Sequence, residues 1–311
     1  MTEGSRKAIF AAFFANLGIA IAKFVGFLIT SSAGLLAESI HSLADTGNQG
    51  LLMLGAKRAA RQPDIEHSFG YGRERYFWAF VVAVVLFSVG GMFALYEGIS
   101  KLRHPHEVEN LGVAVGILVF AICLESYSLR TAYREAKAHK DPEESWWRYI
   151  RTEKSPELPV VLLEDIGAEI GLFMALTGVL LAHFTEEPRW DALGSIGIGI
   201  LLVVIAITLA IEMKGLLIGE SASPEHVALI NAALTGTQHV SSVIHMKTQH
   251  IGPDELIVAA KVEFDPTISI PELAASIDAA EQALRAAVPI AKLIYLEPDI
   301  RRTASDPAAV T

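Results

Sequence analysis

The sequence predicts an α-helical membrane protein: six transmembrane helices followed by a small cytoplasmic α+β domain. Three observations carry this. Six runs are apolar enough and long enough, at about 20 residues or more each, to cross a bilayer. The whole chain of 311 residues is 52% hydrophobic, with a mean hydropathy of +0.40, too apolar for an ordinary soluble protein. After Lys214 the long runs stop and short alternating stretches take over. The net charge of −10 and pI near 5.5 argue against a nucleic-acid partner. A single cysteine, Cys123, excludes an internal disulfide framework and a cysteine-rich zinc site.

The runs fall at approximately 8–30, 33–56, 76–100, 111–133, 158–183 and 191–213. The first is too long for a signal-peptide core and reads as a retained helix. Lys and Arg crowd one side of the short connections: Lys57, Arg58, Arg61, Arg73 and Arg75, then Arg130 to Lys154, then Lys214. The other side carries Lys101, Arg103 and Arg189. The positive-inside rule places both termini in the cytoplasm, or on the equivalent face of an organelle; the expected location is the bacterial inner (plasma) membrane.

Within the first run, Lys23 is a candidate partner for a membrane carboxylate such as Glu38. The second run holds Glu38-Ser-Ile-His-Ser-Leu-Ala-Asp45. His41 and Asp45 stand four residues apart and share a helix face, with Glu38 a turn before and Asn48 a turn after. An imidazole and a carboxylate so placed are a ready ligand pair for a borderline divalent metal, and ionisable groups in the bilayer core point to a site or a pathway. The loop that follows places Asp64 and His67 close enough to share an ion, before a turn at Gly70 and Gly72.

Glu125 interrupts the fourth run and needs a partner or a water-lined cavity, as an interhelical contact or in a proton or metal role. The connection 134–157 holds Trp146, Trp147 and Tyr149 beside Arg148 and Arg151, the pattern of a helix lying at the membrane interface. Its one histidine, His139, makes it no histidine-rich metal collector. The fifth run contains Glu164, Asp165 and Glu169 within two turns. Asp165 and Glu169 repeat the i, i+4 spacing of His41 and Asp45, so two helices can close a four-coordinate site between them.

Beyond Lys214 the expected order is a helix at 224–236, strands at 240–247 and 255–264, a helix at 270–288 and a strand at 291–296. The domains expected are 1–215 for transport and 216–302 for the cytoplasmic unit, with 303–311 a disordered tail.

With its six runs, Glu38-Ser-Ile-His-Ser-Leu-Ala-Asp45, Asp64-Ile-Glu-His-Ser-Phe-Gly70 and the α+β tail, the chain resembles the cation diffusion facilitators. The similarity covers nearly the whole chain. Ser39 to Leu52, Val160-Val-Leu-Leu-Glu-Asp165 and Trp190 to Ser195 bring it nearest the branch containing the animal mitochondrial zinc transporter. The resemblance implies a ferredoxin-like tail, a homodimer in a lipid bilayer, and export of Zn²⁺ from the cytoplasm in exchange for protons. No enzymatic activity and no resident cofactor are implied.

His41 and Asp45 fall on the family's second-span ligands. In the fifth span the usual first ligand falls on Val161, which cannot bind metal, so Asp165 is joined by either Glu164 or Glu169. His41, with Glu38 and Glu125, is the expected proton route. The loop site keeps Asp64 and His67 but has Tyr71 at its further histidine position. In the tail, family metal positions fall on Ala260, Tyr295 and Glu297, leaving His245 and His250 as weak candidates, so the tail is expected to dimerise without a metal cluster. An exporter of Mn²⁺, Fe²⁺ or Co²⁺ and a non-transporting metal sensor or scaffold are the alternatives. An intramembrane zinc hydrolase is disfavoured, because no His-Glu-x-x-His helix is present.

Overall fold

The computed structural model describes residues 3–301, so the expected tail at 303–311 lies outside the described residues. The chain divides into two compact units. One comprises the chain up to Arg58 with Glu74–Lys214, the other Ala59–Arg73 with the chain from Gly215 onward.

In the first unit, α1 (Glu3–Thr30) and α2 (Ala33–Ala59) meet at a two-residue turn. Ser31 takes a left-handed φ of 56° there, and the Ser32 hydroxyl accepts from the amide of Leu35 (3.3 Å), capping the start of α2. Then follow α3 (Glu74–Val85), a π-helical segment (Leu86–Met92), α4 (Phe93–Arg103), α5 (Leu111–His139), the short α6 (Trp146–Thr152), α7 (Glu157–Thr185) and α8 (Arg189–Ile218). Four of these stretches are long and apolar enough to cross a membrane: Glu74–Arg103, Leu111–Ala138, Glu157–Thr185 and Arg189–Ile218. Asn16–Thr30 of α1 is apolar but shorter. The polar residues of α2, Glu38 to Gln49, depress its hydropathy; these are the residues of interest below.

The third run, expected at 76–100, is the span Glu74–Arg103, and it carries an irregularity that hydropathy does not show. Residues 86–92 widen into π turns at Gly90 and Gly91, where two glycines weaken the α-helical preference. The glycines also allow close packing. A Cβ on Gly91 would sit 2.8 Å from the Val203 side chain of α8, and one on Gly98 would sit 2.8 Å from the amide of Ile196.

One buried ion pair ties the far ends of these helices. Asp191, near the start of α8, accepts from the Ser32 hydroxyl, the Ala33 amide and Lys101 Nζ of α4, each at 2.7 Å. Lys101 also donates to the Ser31 carbonyl (2.7 Å). Both charged side chains are wholly buried, and every carboxylate oxygen has a donor, which such burial requires.

The second unit has α9 (Pro224–Thr235), β1 (Val240–Gly252), β2 (Glu255–Phe264), α10 (Ile270–Ala287) and β3 (Ala291–Asp299). The element order is as the sequence predicts, with β1 extending five residues past the expected Lys247 and β3 three past Leu296. The sheet order is β1-β2-β3, antiparallel then parallel. Alternation along β2 turns Leu256, Val258, Ala260, Val262 and Phe264 into a core with Ile230, Leu234 and Leu284 from the helices. Ser223 caps α9 with Pro224 at its first position, and Ser269 with Glu272 forms a capping box on α10. The segment Ala59–Arg73 belongs to this unit: the Gly72 backbone lies so close to Ile251 and Gly252 that a Cβ there would sit 2.6 Å from the Ile251 carbonyl oxygen.

Candidate metal centre

Polar side chains from four helices of the first unit surround a cavity of about 20 Å³, room for roughly one water-sized particle. α1 contributes Asn16 and Ile19, α2 contributes Ser42, Asp45 and Gln49, α5 contributes Glu125 and Ser128, and α7 contributes Val161, Glu164 and Asp165. α1, α2 and α5 present their residues at spacings of three, four or seven, which is one helical face, while α7 adds the adjacent pair Glu164 and Asp165.

The expected ligands are unequally placed. Asp45, Glu164 and Asp165 line the cavity. Glu164 is almost fully buried and accepts from Asn48 Nδ2 (2.6 Å); Asp165 accepts from the Ser128 hydroxyl (3.0 Å). His41 stands behind Asp45, with Nε2 3.5 Å from Asp45 Oδ2, and is itself fully buried. A Cβ on Gly90 of the π segment would lie 3.9 Å from His41 Nδ1, so the π turns approach the imidazole directly. Glu169 is outside the cavity lining and accepts from the Ser126 hydroxyl of α5 (2.8 Å). Glu38 is paired with Lys23 (3.2 Å), the partnership anticipated from the sequence.

Several buried polar atoms here have no hydrogen-bond partner: both ring nitrogens of His41, Asp45 Oδ1, Asn48 Oδ1 and Glu169 Oε2. Buried polar atoms normally find partners, and a cluster of orphans beside a polar cavity fits an ion as the missing one. Among the described residues no three His, Cys, Asp or Glu side chains stand close enough together to hold an ion. Glu164 and Asp165 are instead tied to neutral partners, Asn48 and Ser128. The sequence reading missed Ser42, Gln49 and Ser128. Their signal was the i, i+3, i+7 register of Ser42, Asp45 and Gln49 and the i, i+3 register of Glu125 and Ser128.

The loop and tail candidates belong to the second unit. Asp64 Oδ2 accepts from the Tyr71 phenol (2.5 Å) and Oδ1 from the His67 amide (2.7 Å); His67 Nδ1 lies 3.6 Å from Oδ1. The phenol, then the amide, hold the Asp64 carboxyl below its usual range. Tyr71 thus occupies the carboxylate that a metal would need. In the tail, Ala260 is in the core and Tyr295 is exposed. Glu297 pairs with Lys261 (3.4 Å), His245 sits opposite Lys261 in the sheet, and His250 is buried with its amide donating to the Glu220 carbonyl.

Comparison with known proteins bears on the same region. Residues 9–218 match the profile of the cation efflux transmembrane domain. The mouse proton-coupled zinc antiporter SLC30A9, a mitochondrial protein, is 32% identical over 264 residues, covering 85% of this chain and 47% of the relative. Metal tolerance protein C4 of Arabidopsis thaliana is 29% identical, over 85% of this chain and 58% of its own. The magnetosome protein MamB of Magnetospirillum gryphiswaldense is 25% identical over 98% of this chain and 95% of its own. The chain spans about half the length of the mitochondrial relatives it matches.

Proposed function

The chain belongs to the cation efflux family, whose members are transporters rather than enzymes, and from that premise we propose that it exports Zn²⁺ from the cytoplasm in exchange for protons. The observation that carries this reading is the cavity among Asp45, Glu164 and Asp165, with Asp45 Oδ1 lacking a hydrogen-bond partner and the His41 ring set behind Asp45. Three carboxylates cost too much inside apolar helices to serve packing alone. The name of the mouse relative supports zinc and proton coupling.

Asp45, Asp165 and Glu164 are the proposed ligands, with His41 completing the set through its unpartnered Nε2. Metal binding needs neutral imidazole, so His41 gives up a proton as the ion arrives and regains one after it leaves. Helices α1 and α2 join the four more apolar ones as six spans, and alternating access rocks them about the fixed site. The working unit is proposed as a homodimer in the bacterial inner membrane, termini cytoplasmic, joined through a ferredoxin-like tail. The oxygen-rich lining, with His41 set back, favours a second reading in which a harder ion such as Mn²⁺ or Fe²⁺ is the cargo.

The test is flux into sealed proteoliposomes. Zn²⁺ uptake should rise when the release side is acidified and disappear in Asp165→Asn. Wild-type flux in that variant sinks the assignment, and faster Mn²⁺ or Fe²⁺ flux than Zn²⁺ flux selects the second reading.

A further inference from the structure

Lys23 lies in α1 with no exposed surface. Its Nζ donates to the Ser42 hydroxyl (2.7 Å) and to Glu38 Oε2 (3.2 Å) of α2, and stands 3.6 Å from Glu125 Oε1 of α5. One ammonium therefore gathers two carboxylates from different helices. Two of its three partners, Ser42 and Glu125, also line the cavity with Asp45, Glu164 and Asp165. Glu125 faces both ways, bordering the cavity while one oxygen is directed to the ammonium.

Neutralising Glu38 alone would need one charge and no second carboxylate. The arrangement hydrogen-bonds the lysine to Glu38 and, at 3.6 Å, also holds it beside Glu125, a carboxylate that borders the cavity. We propose that Lys23 is a tethered cation that sets the ligand charge of the cavity: by holding Glu125 to its ammonium, it withholds a fourth carboxylate from the transported ion. The proposal rests on the reading that the ion occupies this cavity. Affinity for a divalent ion climbs with the number of charged oxygens offered to it. A carrier must let the ion go, so binding beyond what capture needs slows release. Oxygen count also moves preference toward harder ions. Lys23 is thus a positioning residue that trades affinity for turnover and restrains binding of Mn²⁺.

The prediction has a sign that damaged packing would not produce. In Lys23→Gln, calorimetric titration of the full chain in nanodiscs should show Zn²⁺ binding tighter by about tenfold, with a larger gain for Mn²⁺. The maximal rate of Zn²⁺ uptake into proteoliposomes should fall. Adding Glu125→Gln to that variant should reverse the tightening. Should Lys23→Gln fail to fold, Lys23→Gln with Glu38→Gln removes the buried pair as a neutral unit and must show the same tightening, again reversed by Glu125→Gln. Equal or weaker binding in the variants that fold, or tightening that persists without the Glu125 carboxylate, overturns the proposal. Asp165→Asn reports on the underlying reading: if it binds Zn²⁺ like the wild type, the cavity is not the ion's site, and that failure is separate from any result at Lys23.

Discussion

Asp45 has one carboxylate oxygen 3.5 Å from an imidazole and the other buried without a partner, and its neighbours differ just as sharply among themselves. Glu164 borders the cavity while Glu169, five residues on, is hydrogen-bonded to Ser126. Glu164→Gln should therefore weaken Zn²⁺ binding by at least ~10-fold, as loss of a ligand does, while Glu169→Gln has the smaller effect. The reverse ranking in calorimetry would move the site one turn along α7. This choice was not legible in the sequence. Spacing alone put Glu164 and Glu169 on opposite sides of Asp165, and only the packing of α5 and α2 decides which faces Asp45. The i, i+4 relation of His41 and Asp45 was legible, because any helix imposes it. That Ser42 rather than His41 faces the cavity was not, since adjacent residues differ by about 100° and the helix rotation is a tertiary property. A second residue-scale prediction concerns Asp64, whose carboxyl the Tyr71 phenol holds below its usual range. A depressed carboxylate contributes stability to its loop above the ordinary Asp value, lost as the pH falls through the lowered one. Tyr71→Phe should raise the Asp64 titration midpoint toward the ordinary aspartate range, read by NMR of the side-chain carboxyl. An unmoved midpoint assigns the shift to the His67 amide instead.

At the scale of elements, hydropathy located four long helical stretches because their apolar content is continuous, and strand alternation located β2 because one of its faces is core. The π segment escaped detection: widening a helix by one residue per turn changes neither hydropathy nor composition, and Gly90 and Gly91 are ordinary in membrane helices. The Asp191 lock escaped too, since its partners Ser32, Ala33 and Lys101 are far away in sequence. Its weight can be stated. Removing one partner of a buried ion pair leaves the other charge uncompensated, at a cost of about 3–5 kcal/mol. Asp191→Asn should lower the thermal unfolding temperature of the detergent-solubilised protein, and Asp191→Asn combined with Lys101→Met should recover part of the loss. No change in the single variant would mean that Lys101 finds another counter-charge.

For the molecule as a whole, the sequence announced a membrane part and a smaller α+β part from the change in pattern after Lys214, yet it assigned Ala59–Arg73 to the membrane part. The segment groups instead with the residues beyond Gly215. No local signal could have revealed this, because a polar loop is polar whichever unit it joins; the contact is made by a glycine, Gly72, against the backbone of Ile251 and Gly252. If the tail joins two copies as proposed, ending the chain at residue 220 should shift the protein from dimer to monomer in analytical ultracentrifugation while Zn²⁺ is still preferred to Mn²⁺. The same truncation should open 59–73 to protease. A dimer that survives truncation would place the interface among the membrane helices.

The second unit is assembled from two stretches of chain more than a hundred residues apart, one of them inserted between the helix bearing His41 and Asp45 and the helix containing the π turns. The polypeptide therefore crosses between units three times instead of once. Such a tail cannot be exchanged among relatives like a bead on a string. A chimaera that swaps only the residues after Gly215 inherits a loop shaped for another sheet, and the fit between Gly72 and Gly252 must be carried across as a pair. A side chain at either of these sequence-distant glycines would meet the backbone of the other, and cutting the chain at Gly215 leaves behind the segment Ala59–Arg73 that groups with the sheet.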